Sequence, residues 1–362
     1  MELMKEESNN YENVIKNTFR KEYPIYLLEV FLKNLDNEGL VYNDKRKNKN
    51  DCLLDISTFS KEKNKLEYLF KNMNGIVKKC EEFEYRRGYR YFYIFRIGDY
   101  DNNIIKSLIN NKKVVVFTDD LISNDFMDTI IRKPTYKTDN GKIIFKFNLE
   151  LKSKLDEENS IKHTILAIIN PKLKIIEIRQ DVVPIMYQTS DDFYIGKVLD
   201  IKTWILTNLC CSIDNIDFQA VAKYMKSDKK DDVIITAVSI KRDGMKAVLD
   251  SASNIDLTLP ILDELRNKID SDEIFNLDDK NVKNIRQSLI NFIEEIEENS
   301  DLPAAKILWK EKGYKISSYH DEVGGKSCSF KWIGELKDEE SMNYVTEYLI
   351  ECEKELRESF DN

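Results

Sequence analysis

Glycine and proline are scarce, at 11 and 6 residues in a chain of 362. Their scarcity excludes a collagen repeat, a Gly/Ser linker and a proline-rich tail. Long apolar runs are missing as well. The best stretches, Ile165 to Asn170 and Val233 to Ile240, fall far short of the roughly 20 residues that cross a bilayer, so no membrane span is expected. The start, Met1-Glu2-Leu3-Met4-Lys5-Glu6-Glu7, has no apolar core behind a basic end and does not read as a secretory signal. A cytoplasmic location is the expectation.

Histidine is nearly absent. With only His163 and His320, one chain cannot assemble a multi-histidine metal site. The six cysteines, Cys52, Cys80, Cys210, Cys211, Cys328 and Cys352, contain no C-x-x-C pair and are read as reduced thiols. No G-x-x-x-x-G-K-[ST] loop, dinucleotide-type glycine cluster, H-E-x-x-H or G-x-S-x-G occurs, which removes the mainstream nucleotide, zinc-protease and hydrolase motifs.

Charge is abundant. Acidic residues outnumber basic ones 65 to 56, for a net charge of −9, so no global field draws the chain to polyanions and any such site must be a local patch. Hydrophobic residues reach 42%, enough for packed cores. A single core stops growing near roughly 250 to 300 residues, so about two domains are expected. The richness in Lys, Asn, Ile and Asp is that of an AT-rich genome, a hint of a bacterial or phage source.

Apolar periodicity sets out an α+β fold. Tyr26, Leu27, Val30, Phe31 and Leu35 recur at helical spacing over 23–40. A strand is expected at 53–57, then a helix capped by Ser60 that carries Leu66, Leu69, Phe70 and Met73. The aromatic run 85–97 predicts a strand. A short helix at 104–109, a strand at 114–117 and a half-buried strand at 142–151 follow. These make a mixed α/β unit over 1–152.

The remainder, 153–362, reads as antiparallel hairpins and amphipathic helices. Strands 163–169 and 173–179 flank Asn170-Pro171-Lys172. Helices are expected at 200–211, holding Cys210-Cys211, and at 217–225 with Asp217 as N-cap. Asp243-Gly244 between 233–240 and 245–249 marks a hairpin. Helices at 259–269 and 279–298 precede a three-stranded meander over 307–332. The last helix carries Met342, Val345, Leu349, Cys352 and Leu356 on a narrow stripe.

Two constellations bear on chemistry. Asp119 and Asp120 close one expected strand, and Glu150-Leu151-Lys152 closes another. On neighbouring strands these acids could hold a divalent cation while Lys152 orients a water. The spacing resembles the D…E-x-K arrangement of restriction-endonuclease-like nucleases, and the resemblance implies a magnesium-dependent nuclease. Glu335-Leu336-Lys337 repeats the short E-x-K match elsewhere.

The second constellation is the most distinctive segment of the chain. Between Tyr85 and Arg96, four arginines alternate with aromatic residues and no acid intervenes. As a strand, it would put Tyr85, Arg87, Tyr89, Tyr91, Tyr93 and Phe95 on one face and Arg86, Arg90, Phe92, Ile94 and Arg96 on the other. Aromatic rings stack bases and guanidinium groups contact phosphates, so Arg86, Arg87, Tyr89, Arg90, Tyr91 and Arg96 are the candidate nucleic-acid contacts. Lys45 to Lys49 could extend the patch. Arg87-Gly88-Tyr89-Arg90-Tyr91 partly resembles the aromatic strand signature of RNA-recognition motifs, with Arg90 at a position that family gives to a small residue.

The functional expectation is a binding subunit without a cofactor. It contacts nucleic acid or another polyanion together with protein partners or further copies of itself, in a bacterial multi-component or phage-defence system. A magnesium nuclease and a purely protein-binding scaffold or inhibitor are the alternatives.

Overall fold

A computed structural model describes residues 2–43, 54–117, 127–128, 133–156, 159–242, 245–250, 260–299, 301–320, 328–336 and 338–360. The chain is α+β, as its periodicity predicts, with helices and largely antiparallel strands. It divides into two compact units, Met1–Asn215 with Gly334–Glu347, and Ile216–Ile333 with Tyr348–Asn362. The boundary expected near Lys152 falls inside a hairpin, because Lys152 pairs with Ser160 across two adjacent strands.

The first unit opens with helices α1 (Glu2–Lys21) and α2 (Ile25–Asn37), then the short strands β1 (Val41–Tyr42) and β2 (Leu54–Asp55). Helices α3 (Glu62–Asn72) and α4 (Ile76–Arg86) follow. Tyr11, Phe19, Phe31, Leu69, Cys80 and Phe83 interlock the four helices in one apolar cluster. Neither α1 nor α4 is foreseen from the sequence. Lys61 occupies the α3 N-cap and no side chain caps it, so the role expected of Ser60 is not filled.

The sheet of this unit uses β3 (Tyr91–Ile97), β4 (Val115–Val116), β5 (Met127–Asp128), β6 (Thr135–Asp139), β7 (Lys142–Lys152), β8 (Ser160–Asn170), β9 (Ile175–Gln180) and β10 (Ile213–Asn215). Its order is β3-β9-β8-β7-β6-β4, with β10 on β3 and β5 on β7. Helices α5 (Asn102–Asn110) and α6 (Phe193–Leu209) complete the unit. The hairpin expected around Asn170-Pro171-Lys172 is β8–β9, antiparallel from Asn170↔Ile175 to Ile165↔Gln180.

Strand alternation sorts β7 and β8 into two faces. One face puts Phe145, Phe147, Leu149, Ile165 and Ala167 into a dry core with α5 and α6, where Trp204 meets Phe145 and Phe147 at 5.5 and 5.2 Å. The other face carries Lys146, Asn148, Lys162 and Thr164, and these are buried too. The half-buried strand expected at 142–151 is therefore covered on both sides over most of its length. Cys210 ends α6 in the left-handed region at φ 52, with Cys211 beyond it, so neither lies on the helix that the sequence suggests.

The second unit contains α7 (Phe218–Asp228), β11 (Val233–Arg242), β12 (Met245–Asp250), α8 (Pro260–Ser271), α9 (Lys280–Asn299), β13 (Asp301–Trp309), β14 (Lys315–His320) and β15 (Cys328–Ile333). Its strands are antiparallel in the order β12-β11-β13-β14-β15. Asp217 caps α7, accepting from the Ala220 N–H at 3.1 Å. Strands β11 and β12 pair as the Asp-Gly signal predicts, although Asp243-Gly244 lies outside the described residues. Helix α10 (Glu339–Phe360) ends the chain, its residues divided between the units at Glu347 and Tyr348. Met342, Val345, Leu349 and Cys352 on its stripe are all buried.

Candidate functional site

Helix α4 organises the chemistry of the first unit. Ile76, Val77, Cys80 and Phe83 continue at helical spacing into the helical core, and this period overrides the strand preference of the aromatic residues that follow. Tyr85 and Arg86 are thus the last turn of a helix, and the strand begins only at Tyr91. The other two faces of α4 are polar. One points at the sheet and carries Glu81, Glu84 and Tyr85. The other carries Lys79, Glu82 and Arg86.

Glu81 and Glu84, one helical turn apart, meet Lys146 of β7 and Lys162 of β8 in a buried quartet. Lys146 is 0% and Lys162 3% exposed. Lys146 pairs with Glu81 and, at 3.3 Å, with Glu84. Lys162 pairs with Glu81 and, at 2.5 Å, with Glu84. Tyr11 donates to Glu81 at 2.5 Å and Tyr23 to Glu84 at 3.2 Å. Lys146 also donates to the Glu81 carbonyl at 3.0 Å.

Two ammonium groups and two carboxylates make the quartet formally neutral, which is how charge survives in a dry interior. Burial acts to raise the Glu81 pKa. The ammonium groups of Lys146 and Lys162 outweigh it and hold the carboxyl down at about 2. Every member is engaged by another, so the quartet positions α4 on the sheet and leaves no side chain poised toward a ligand.

On the outer side of α4 lies an open cleft of about 400 Å3. Lys79, Arg86 and Lys137 bring positive charge to it, and Glu38 and Glu82 bring negative charge. Lys79 is held by Glu38 at 2.9 Å and Glu82 at 2.8 Å. Burial works to lower its pKa, but those two bonds prevail and raise it. Arg86 is exposed at the rim, and Lys137 lies over the Tyr85 ring at 5.6 Å.

Phe31, Phe83 and Phe117 supply the apolar lining. Phe31 and Phe83 are buried, whereas Phe117 is half-buried. Its ring packs on Tyr85 at 5.0 Å, and the Lys146 ammonium lies 4.5 Å from the Tyr85 ring and 5.5 Å from that of Phe117. These two aromatic rings separate the quartet from the cleft.

The six residues singled out between Tyr85 and Arg96 do not form one surface. Arg87 is 3% exposed, bonds Asp181 at 2.6 Å and lies over the rings of Tyr23 and Tyr89 at 4.8 and 4.0 Å. Tyr89 is buried and donates its hydroxyl to the Glu84 carbonyl at 2.5 Å. Arg90 donates to the Gly334 carbonyl at 2.8 Å, and Arg96 to that of Leu173 at 3.2 Å. Tyr91 packs on Tyr194 at 4.8 Å. Arg86 alone of the six lines the cleft.

The segment that resembles the RNA-recognition signature is divided among a helix end, a connector and a strand, so its expected alternation holds only from Tyr91 onward. Glu150 and Lys152 sit near the end of β7, with Glu150 opposite Lys162 in register. Asp119, Asp120 and the Lys45 to Lys49 connector lie outside the described residues. Among the described residues no group of His, Cys, Asp or Glu is placed to hold a metal ion.

Sequence reading missed Lys79, Lys137 and the quartet. A signal existed: Lys146, Asn148 and Glu150 on β7, like Ser160, Lys162 and Thr164 on β8, recur at every second residue and mark a polar strand face. Comparison with protein-family models, with curated proteins and with solved structures finds no match for this chain.

Proposed function

We propose that the chain is a cytoplasmic binding subunit whose first unit takes a single-stranded nucleic-acid segment in the α4 cleft. The supporting observation is the pairing of Arg86 and Lys137 with the half-buried Phe117 ring in one opening of about 400 Å3, a size typical of small-ligand sites. Cations beside an aromatic face are what a phosphate and its attached base require. Two carboxylates in the same lining, Glu38 and Glu82, limit the positive field and favour a short contact over a long basic track. The bacterial setting rests on composition.

Fluorescence anisotropy with a labelled single-stranded oligonucleotide tests the reading. Two accessible cations imply a log–log salt slope near about −1.4, and loss of either cation a slope smaller by about 0.7. Arg86→Ala and Lys137→Ala should therefore each weaken binding and flatten its salt dependence, with the thermal unfolding of the chain unchanged. A wild-type chain indifferent to the oligonucleotide at low salt would end the proposal.

A further inference from the structure

Helix α9 carries an apolar stripe wider than its neighbour covers. In sequence, Val282, Ile285, Leu289, Phe292 and Ile296 are spaced alternately by three and four residues, the period of a helix-pairing seam. Helix α8 and the short turn Glu273–Asn276 contact one flank of α9, on which Ile293 is fully buried. The other flank faces solvent. Ile285 is 56% and Phe292 51% exposed.

Charge along α9 runs against its own dipole. Helices favour acids in the first turn and bases in the last; Asp279 caps the start of α9, accepting from the Asn281 N–H at 2.7 Å, but within Lys280–Asn299 there is no acid in the first turn and no base in the last. Lys280, Lys283 and Arg286 fall in its first half, and Glu294, Glu295, Glu297 and Glu298 in its second. Lys283 pairs with Asp278, and Arg286 with Asp270 at 2.7 Å. Both pairs are exposed and therefore weak.

A second α9 laid antiparallel sets basic halves against acidic halves at both ends, and also opposes the two helix dipoles. A parallel copy would set like against like. We infer that the exposed flank of α9 is a self-association surface, on which a second copy of this chain packs its α9 antiparallel about a two-fold axis near Leu289. The same patch then serves both partners, as a closed two-fold dimer requires.

Sedimentation velocity on the full chain, across micromolar to 100 micromolar concentrations, tests this. The wild type should dimerise. Ile285→Lys with Phe292→Lys should raise the dissociation constant by roughly tenfold or more, as loss of central apolar anchors does. Because both side chains face solvent, circular dichroism and melting should stay unchanged. As a second probe, Lys280→Glu with Lys283→Glu should weaken the dimer, and wild-type association should weaken as sodium chloride rises. A wild type that stays monomeric, a dimer indifferent to the Ile285 and Phe292 changes, or one that tightens with salt would each overturn the inference.

Discussion

Single residues carry the clearest consequences in the buried quartet. Lys162→Met removes an ammonium that serves both Glu81 and Glu84, leaving buried carboxylates short of a cation. The expected loss is about 3 to 5 kcal/mol in chemical denaturation, the range for breaking one side of a buried pair. His163 adds a pH signature. Burial pushes its imidazole down to about 4 from the ordinary 6.5. Above that ordinary value the ring is neutral whether folded or not. As pH falls through the window, the unfolded chain takes up a proton that the folded chain refuses, so stability drops by about 3 kcal/mol in all and levels off below the lower value. In His163→Gln this limb should vanish from a series of denaturant melts. A second limb, from Glu81, lies at more acid pH, between its ordinary 4.5 and about 2. The recurrence of Lys146, Asn148, Glu150 and Lys152 at every second residue was readable as a polar strand face. That the face is buried was not, because the cover comes from α1 and α4, whose apolar stripes are short and interrupted by acids.

At the level of elements, legibility followed the locality of the signal. The β8–β9 and β11–β12 hairpins and the Asp217 cap are written in turn and cap chemistry within a few residues. The segment from Tyr85 to Arg90 misled because its aromatic residues favour strands in general, while its true state is set by the helical period that begins at Ile76. Gly88, in the connector after α4, shows a long-range demand that local sequence does not state. A Cβ there would overlap the buried side chain of Leu336. Gly88→Ala should cost about 1 to 3 kcal/mol, as overpacking does, measured by thermal or denaturant unfolding. The opposite sign is expected at the end of α6, where Cys210 holds a left-handed φ of 52. Cys210→Gly relieves that strain and should stabilise the chain by roughly 0.5 to 1 kcal/mol.

For the whole molecule, the net charge of −9 makes any polyanion contact a matter of local arrangement. Among the described residues, no helix is long and apolar enough to cross a membrane. The α+β class was legible from periodicity. The division into units was not, because the first unit takes back Gly334–Glu347 from far along the chain, and contacts of that range leave no trace in local pattern. Arg86 was legible as a candidate contact, whereas Lys79, Lys137 and Phe117 come to it through the packing of α2, α4 and β6. The most direct measurement is photo-cross-linking of a bromouracil-substituted single-stranded oligonucleotide to the intact chain, followed by mass-spectrometric mapping of the attached peptide. The expected product carries the adduct on the peptide containing Phe117, and Arg86→Ala reduces its yield. Adducts confined to peptides that contribute nothing to the cleft would contradict the account.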